Sequence, residues 1–285
     1  MALTTNEDQL VAMVLSGWVT HPELDASPFQ VGADGRPYLP FGAGGVLYGY
    51  GPGARAFVGS ADHPEPGATI KARDERSQAA LAAFACLGNE AWVAFEDGRA
   101  TGVVVGLRGE GQGLFVHFQR RDLRRISPGQ RISVRCCGSG LQVTGFADIA
   151  VHHLSQGILS KLADVRDGQL VASVRARIPS YLLGNGVGRP AATWETDLQS
   201  DDPEALRRHG CDELRIGDVV AMDDWEAVTM QGYAPGATTI GVVVHGDSPL
   251  PGHGPGILPV LSGSAARLVA VLDPVRPHLF DDLAP

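Results

Sequence analysis

Glycine and proline are spread so densely along this chain that long regular elements have little room to form. Thirty-seven glycines and nineteen prolines make up about a fifth of the 285 residues. Glycine opens backbone conformations closed to other residues and proline removes a backbone donor, so the chain is expected to fold as many short strands joined by turns. That predicts a mainly β protein, with a barrel-like or sandwich β core and a few short helices. The length suffices for a large core. The organisation expected is an N-terminal helix and extended lead-in over residues 1–34, then a single β-rich domain over 35–285 or, as the alternative, two β subdomains over about 35–150 and 151–285.

Local patterns fill in that outline. Leu10, Met13 and Val14 fall on one face of a short helix expected within residues 1–20. The alanine-rich stretch 74–88 is the clearest helix, with Gly88 as its stop. Between Glu90 and Val143 apolar and polar residues alternate in four segments, 91–95, 102–107, 114–118 and 131–135, with turns at 96–98 and 108–111. A strand over 170–178 ends at Pro179, and Asp201 or Asp202 caps a helix running to Arg208 with Pro203 in its first turn. The run 214–224 reads as a turn feeding a strand that ends in Asp223 and Asp224.

Charge and cysteine usage exclude several classes. A formal net charge of −9 and a pI near 5.4 argue against nucleic acid or an anionic membrane as partner. The basic run Arg120, Arg121, Arg124 and Arg125 reads as a solvated face beside Asp122. No basic leader precedes Leu10–Leu15, and no apolar run approaches the ~20 residues that span a bilayer, so a cytoplasmic protein is expected. Cys86, Cys136, Cys137 and Cys211 lack paired spacing and are read as reduced packing thiols.

Chemistry concentrates at two places. In residues 240–258 the β-branched run Ile240–Val244 reads as a buried strand that delivers His245 and Asp247 to a loop of Gly and Pro, with His253 between two glycines. Asp62, His63 and Glu65 form the second group, stiffened by Pro64 and Pro66. Together Asp62, His63, Glu65, His245, Asp247 and His253 make a candidate catalytic set, in which His63, Asp62 and His245 are candidate ligands of a divalent metal ion. Asn185, Trp194, Tyr181 and Phe41 are candidate substrate-binding residues. All of this requires residues 62–65 and 245–253 to meet in space. Glycine-rich phosphate loops, Gly-x-Ser-x-Gly and His-Glu-x-x-His are absent.

The motifs 62–67, 85–91, 138–141, 183–188 and 214–221, and above all Ile240–Gly256, resemble in order those of the domain-of-unknown-function family 4438, over about residues 35–265. The resemblance implies a mainly β, two-layer or barrel-like fold and a homo-oligomer, without fixing a reaction. One segment departs: family members resembling this chain carry Gly-Asp-Tyr-Asp after the 184–188 loop, where this chain reads Ala191-Ala192-Thr193-Trp194-Glu195-Thr196-Asp197. A distant analogy to acetamidase and formamidase adds a reaction type. Three readings follow: hydrolysis of an amide or related C–N bond in a small molecule, with or without a metal; a cofactor-free cyclase, isomerase or lyase of specialised metabolism; and a non-catalytic ligand-binding or assembly module.

Overall fold

The alternating segments between Glu90 and Val143 do form strands, and those strands close on themselves. The computed structural model describes residues 3–22, 24, 29–59, 61–109, 113–199 and 201–283; the tip of the expected 108–111 turn lies outside them. Strands Met13–Val19, Arg131–Cys136, Glu90–Phe95, Gly98–Arg108, Gly113–Phe118 and Gly67–Lys71 are hydrogen-bonded in that order, all antiparallel. The first and last also pair, Trp18 with Lys71 and Val19 with Ile70, so the six strands make a closed barrel without free edges.

The helix expected within residues 1–20 is not formed. Glu7–Gln9 makes one 3-10 turn, and Met13–Val19 is a barrel strand. One ladder runs along Met13–Trp18 and a second takes Trp18 and Val19, and of the supposed apolar face Met13 and Val14 are exposed while Leu10, outside the strand, packs on the core. Four short helices remain among the described residues. Glu75–Phe84 is capped by Asp74, which accepts a hydrogen bond from the Ser77 amide at 3.0 Å; it ends four residues before Gly88. Pro203–Arg208 is capped by Asp202 through the Ala205 amide at 2.9 Å, as the sequence suggests.

The second half is built on an antiparallel meander, Val219–Glu226, Gly232–His245 and Gly256–Ser264. Ala176–Pro179 adds a parallel strand on one side, and Ala150–Val151 and Thr196–Asp197 pair with Gly256–Ser264 on the other. The expected single strand over 170–178 is two strands: Gln169–Val174 joins Ala163–Arg166 and Leu268–Leu272 in a separate sheet, and the chain changes sheets at Arg175. One hydrophobic cluster runs from the barrel (Ile70, Phe115, Val104) into the meander (Ile240, Val242, Val244, Leu258), so the halves share a core. No helix among the described residues is long and apolar enough to cross a membrane.

Candidate metal centre

The run Ile240–Val244 is fully buried, and the strand it belongs to ends at His245. A register shift between Val243 and His245 sets the imidazole opposite Gly256, where any Cβ would overlap the ring. His245 is 0% exposed. Its Nδ1 lies 3.0 Å from the Gly246 carbonyl oxygen, which can only accept, so Nδ1 carries the proton and Nε2 presents its lone pair. That Nε2 faces Glu195 Oε1 and Asp197 Oδ1, each at 3.6 Å, and makes no hydrogen bond. Burial disfavours the imidazolium, but the adjoining Glu195 and Asp197 carboxylates outweigh it and raise the pKa. The pocket therefore calls for positive charge, supplied by a proton or by a cation.

The two segments singled out by the sequence do meet. The His63 amide donates to the Asp247 carbonyl at 2.8 Å and the Gly246 amide to the Pro64 carbonyl at 3.0 Å. This docking holds His63 at φ 47°, a left-handed conformation uncommon outside glycine and maintained here by the contacts on both sides. Its Nδ1 is 2.6 Å from Asp62 Oδ1. Burial would raise the Asp62 pKa, yet hydrogen bonds from His63, Ser248 and Tyr38 hold it below the usual carboxylate range. Ionised Asp62 thus fixes the His63 tautomer and turns Nε2 inward, the way a carboxylate orients a metal-binding histidine. There Nε2 lies 3.2 Å from His253 Nδ1 and 4.0 Å from Asp197 Oδ2.

Asp197 stands at the centre. The two-residue strand Thr196–Asp197 pairs with Gly256–Ser264, and the Asp197 amide donates to the Asn185 carbonyl at 2.8 Å. Its side chain is 2% exposed, and neither carboxylate oxygen has a hydrogen-bond partner. Oδ2 is 3.2 Å from His253 Nδ1 and Oδ1 faces His245. Glu195, two residues earlier, is held by the Gly109 amide on Oε2 at 2.5 Å, with Oε1 turned to His245. Close approach of the 252–254 loop depends on glycine: a Cβ on Gly254 would run into the Leu198 carbonyl. Ligand atoms bound to one cation at 2.0–2.2 Å are separated by roughly 3–3.6 Å, close to the spacings found here. His63, Asp197 and His253 form one group able to hold a metal ion, and Glu195, Asp197 and His245 form another.

Of the residues picked from sequence, Asp62, His63, His245 and His253 converge on this cluster. Asp247 contributes backbone contacts on both sides, and its Oδ1 accepts from the Ser248 amide at 2.8 Å. Glu65 is buried but occupied, by Arg108 Nε at 3.0 Å, the Gly44 amide at 2.7 Å and the Thr69 hydroxyl at 2.6 Å. Phe41 is exposed on the segment whose carbonyl binds the Asp62 amide. Trp194 lies against Gly109 with Arg189 over its ring at 4.5 Å, and Asn185 holds the 252 loop through its backbone. Tyr181 is exposed and bonded to His209. Asp223 pairs with Arg177, and Asp224 accepts from the Gly236 amide. The sequence reading missed Glu195 and Asp197. Their signal is two acids at i and i+2, which share one face of an extended segment.

Barrel and meander thus define a mainly β protein with a buried cluster of three histidines and two carboxylates, of a composition that can bind divalent cations. The chain belongs to the DUF4438 family, whose N-terminal domain of unknown function matches residues 29–160 and whose C-terminal one matches 160–276. A solved structure, described as the crystal structure of TM1086, is similar at 28% identity, with a TM-score of 0.94 and full coverage of both chains. No curated protein matches the chain significantly.

Proposed function

We propose that the protein is a divalent-metal-dependent hydrolase that cleaves an amide or related C–N bond in a small molecule. The observation that carries this reading is Asp197: a buried carboxylate with no hydrogen bond on either oxygen, surrounded by imidazole nitrogens whose far sides are fixed by Asp62 and Gly246. A buried carboxylate that makes no hydrogen bond is costly unless a cation answers it. Bound there, a divalent ion would lower the pKa of a coordinated water toward about 7 and so supply hydroxide at neutral pH.

The chain's own residues supply the rest. Asp62 keeps the His63 Nδ1 proton in place, so His63 serves through Nε2 only. His253, with 21% of its side chain accessible, is the most open member of the cluster and marks the side from which substrate enters. In the reaction the water oxygen adds to the carbonyl carbon, the C–N bond breaks, and the water's proton leaves with the nitrogen. Metal-stripped protein, assayed for amine release from a panel of short-chain and aryl amides, should turn over at least one of them only after zinc or manganese is restored, and His245→Ala should abolish that turnover. Release that is indifferent to metal and to His245 would overturn the reading.

A cofactor-free cyclase, isomerase or lyase is the second reading. On its side stand the exposed apolar Val31, Leu39 and Phe41, on a segment bonded to both site loops through Phe41–Asp62 and Ala33–Pro249. Metal-independent turnover of an apolar substrate in the same preparations would favour it.

A further inference from the structure

The two ligand groups share one residue, Asp197, and they use different oxygens of it. We propose that the centre holds two divalent cations, bridged by the Asp197 carboxylate, with His63 and His253 completing one site and His245 and Glu195 the other. This deepens the metal-hydrolase reading and rests on it.

The distances from the two Asp197 oxygens fall into two groups. On the Oδ2 side lie His253 Nδ1 at 3.2 Å and His63 Nε2 at 4.0 Å, themselves 3.2 Å apart. On the Oδ1 side lies His245 Nε2 at 3.6 Å, which is also 3.6 Å from Glu195 Oε1. A single cation on the Oδ2 side would leave the buried His245 Nε2 facing Glu195 and Asp197 Oδ1 with no hydrogen bond, and one on the Oδ1 side would leave His63 and His253 on Oδ2 without a cation. Two cations satisfy both sides, and also occupy the lone pair of His245 Nε2. A carboxylate bound through both oxygens is compatible with the metal spacing of about 3.5–4 Å at which paired ions act together on the attacking and leaving atoms of a hydrolysis.

Charge agrees with the count. Glu65 is neutralised by Arg108, and the carboxylates set against the cluster's imidazoles at the distances given above are Asp62, Glu195 and Asp197. Two divalent ions leave one positive charge over these three carboxylates, which a bound hydroxide would neutralise. The sites are chemically unequal. Both sites can take manganese, but the His63–His253 site is nitrogen-rich and favours zinc or cobalt over it, whereas the His245–Glu195 site is richer in oxygen and suits manganese better. The second site should therefore be the weaker for zinc.

The test is metal stoichiometry on the full chain, read by elemental analysis after loading with manganese and gel filtration, together with the electron paramagnetic resonance spectrum of the manganese-loaded protein. The expected result is two ions per chain and the multiline signal of a spin-coupled pair. Glu195→Gln and His253→Ala should each fall to one ion per chain and show the six-line signal of isolated manganese, with circular dichroism confirming that the variants are folded. The wild-type spectrum decides the matter even if a variant fails to fold. One ion per chain and no coupling in the wild type would overturn the two-cation centre while leaving the single-metal hydrolase reading standing. No bound ion at all would overturn both.

Discussion

Replacing Asp197 with asparagine keeps the shape of the side chain and removes its charge, and the two consequences should separate. Without metal, the wild type buries a carboxylate that is 2% exposed and makes no hydrogen bond, with Glu195 two residues earlier on the strand approach. An unsatisfied buried polar group costs about 1–3 kcal/mol, and more when charged, although a proton on His245 recovers part of that. Metal-free Asp197→Asn should therefore be as stable as the metal-free wild type, or up to about 1–3 kcal/mol more stable. With metal the order reverses. A cation present at a hundred times its dissociation constant stabilises the folded state by about 2.7 kcal/mol. At about 2–4 °C per kcal/mol for a chain of this order of size, that is a rise in Tm of about 5–10 °C. The variant, lacking the bridging carboxylate, should show almost none of it. The assay is thermal unfolding followed by circular dichroism, on chelator-treated wild type and variant, with and without added zinc or manganese. A wild type insensitive to both metals, or a variant that responds as the wild type does, would refute the reasoning.

Three further outcomes are expected. Asp62→Asn, which removes the charge that holds the His63 Nδ1 proton, should lower metal affinity about 10–100-fold while leaving the fold intact, as measured by competitive titration against a chromogenic chelator. Glu65→Ala should destabilise the protein by about 3–5 kcal/mol in denaturant unfolding, because it removes the buried carboxylate that pairs with Arg108 and accepts from the Gly44 amide and the Thr69 hydroxyl. His153 is pushed down to about 4, by burial first and by His152 second. Its folded pKa lies below its unfolded value, so the stability it contributes is full above about pH 6.5 and is lost as pH falls toward 4, at up to about 1.4 kcal/mol per pH unit. Denaturant unfolding at pH 7 and pH 5 should show this loss in the metal-free wild type and a smaller one in His153→Gln.

How much of this was legible beforehand varied with the range of the interactions involved. The barrel strands between Glu90 and Cys136 announce themselves as short runs rich in β-branched and aromatic residues between turns, with Glu90–Phe95 alternating in burial and Gly113–Phe118 buried on both sides. Met13–Val19 does not, since its apolar residues also fit a helical spacing and only pairing with residues more than fifty positions away makes it a strand. The break at Arg175 is likewise invisible locally, because it reflects a change of sheet. At the site, His63, His245 and His253 stand out against glycine and proline. Asp197 ends a two-residue strand and Glu195 just precedes it beside Trp194, a stretch too short to show a period, and their role comes from the fold that sets them against His245 and His253.

The most direct measurement is an anomalous difference map from crystals of the manganese- or zinc-loaded protein, collected at the absorption edge of that metal. The account predicts density on Asp197, one peak on the Oδ2 side between His63 and His253 and a second on the Oδ1 side between His245 and Glu195. A fully loaded crystal with no anomalous density at this cluster would contradict it.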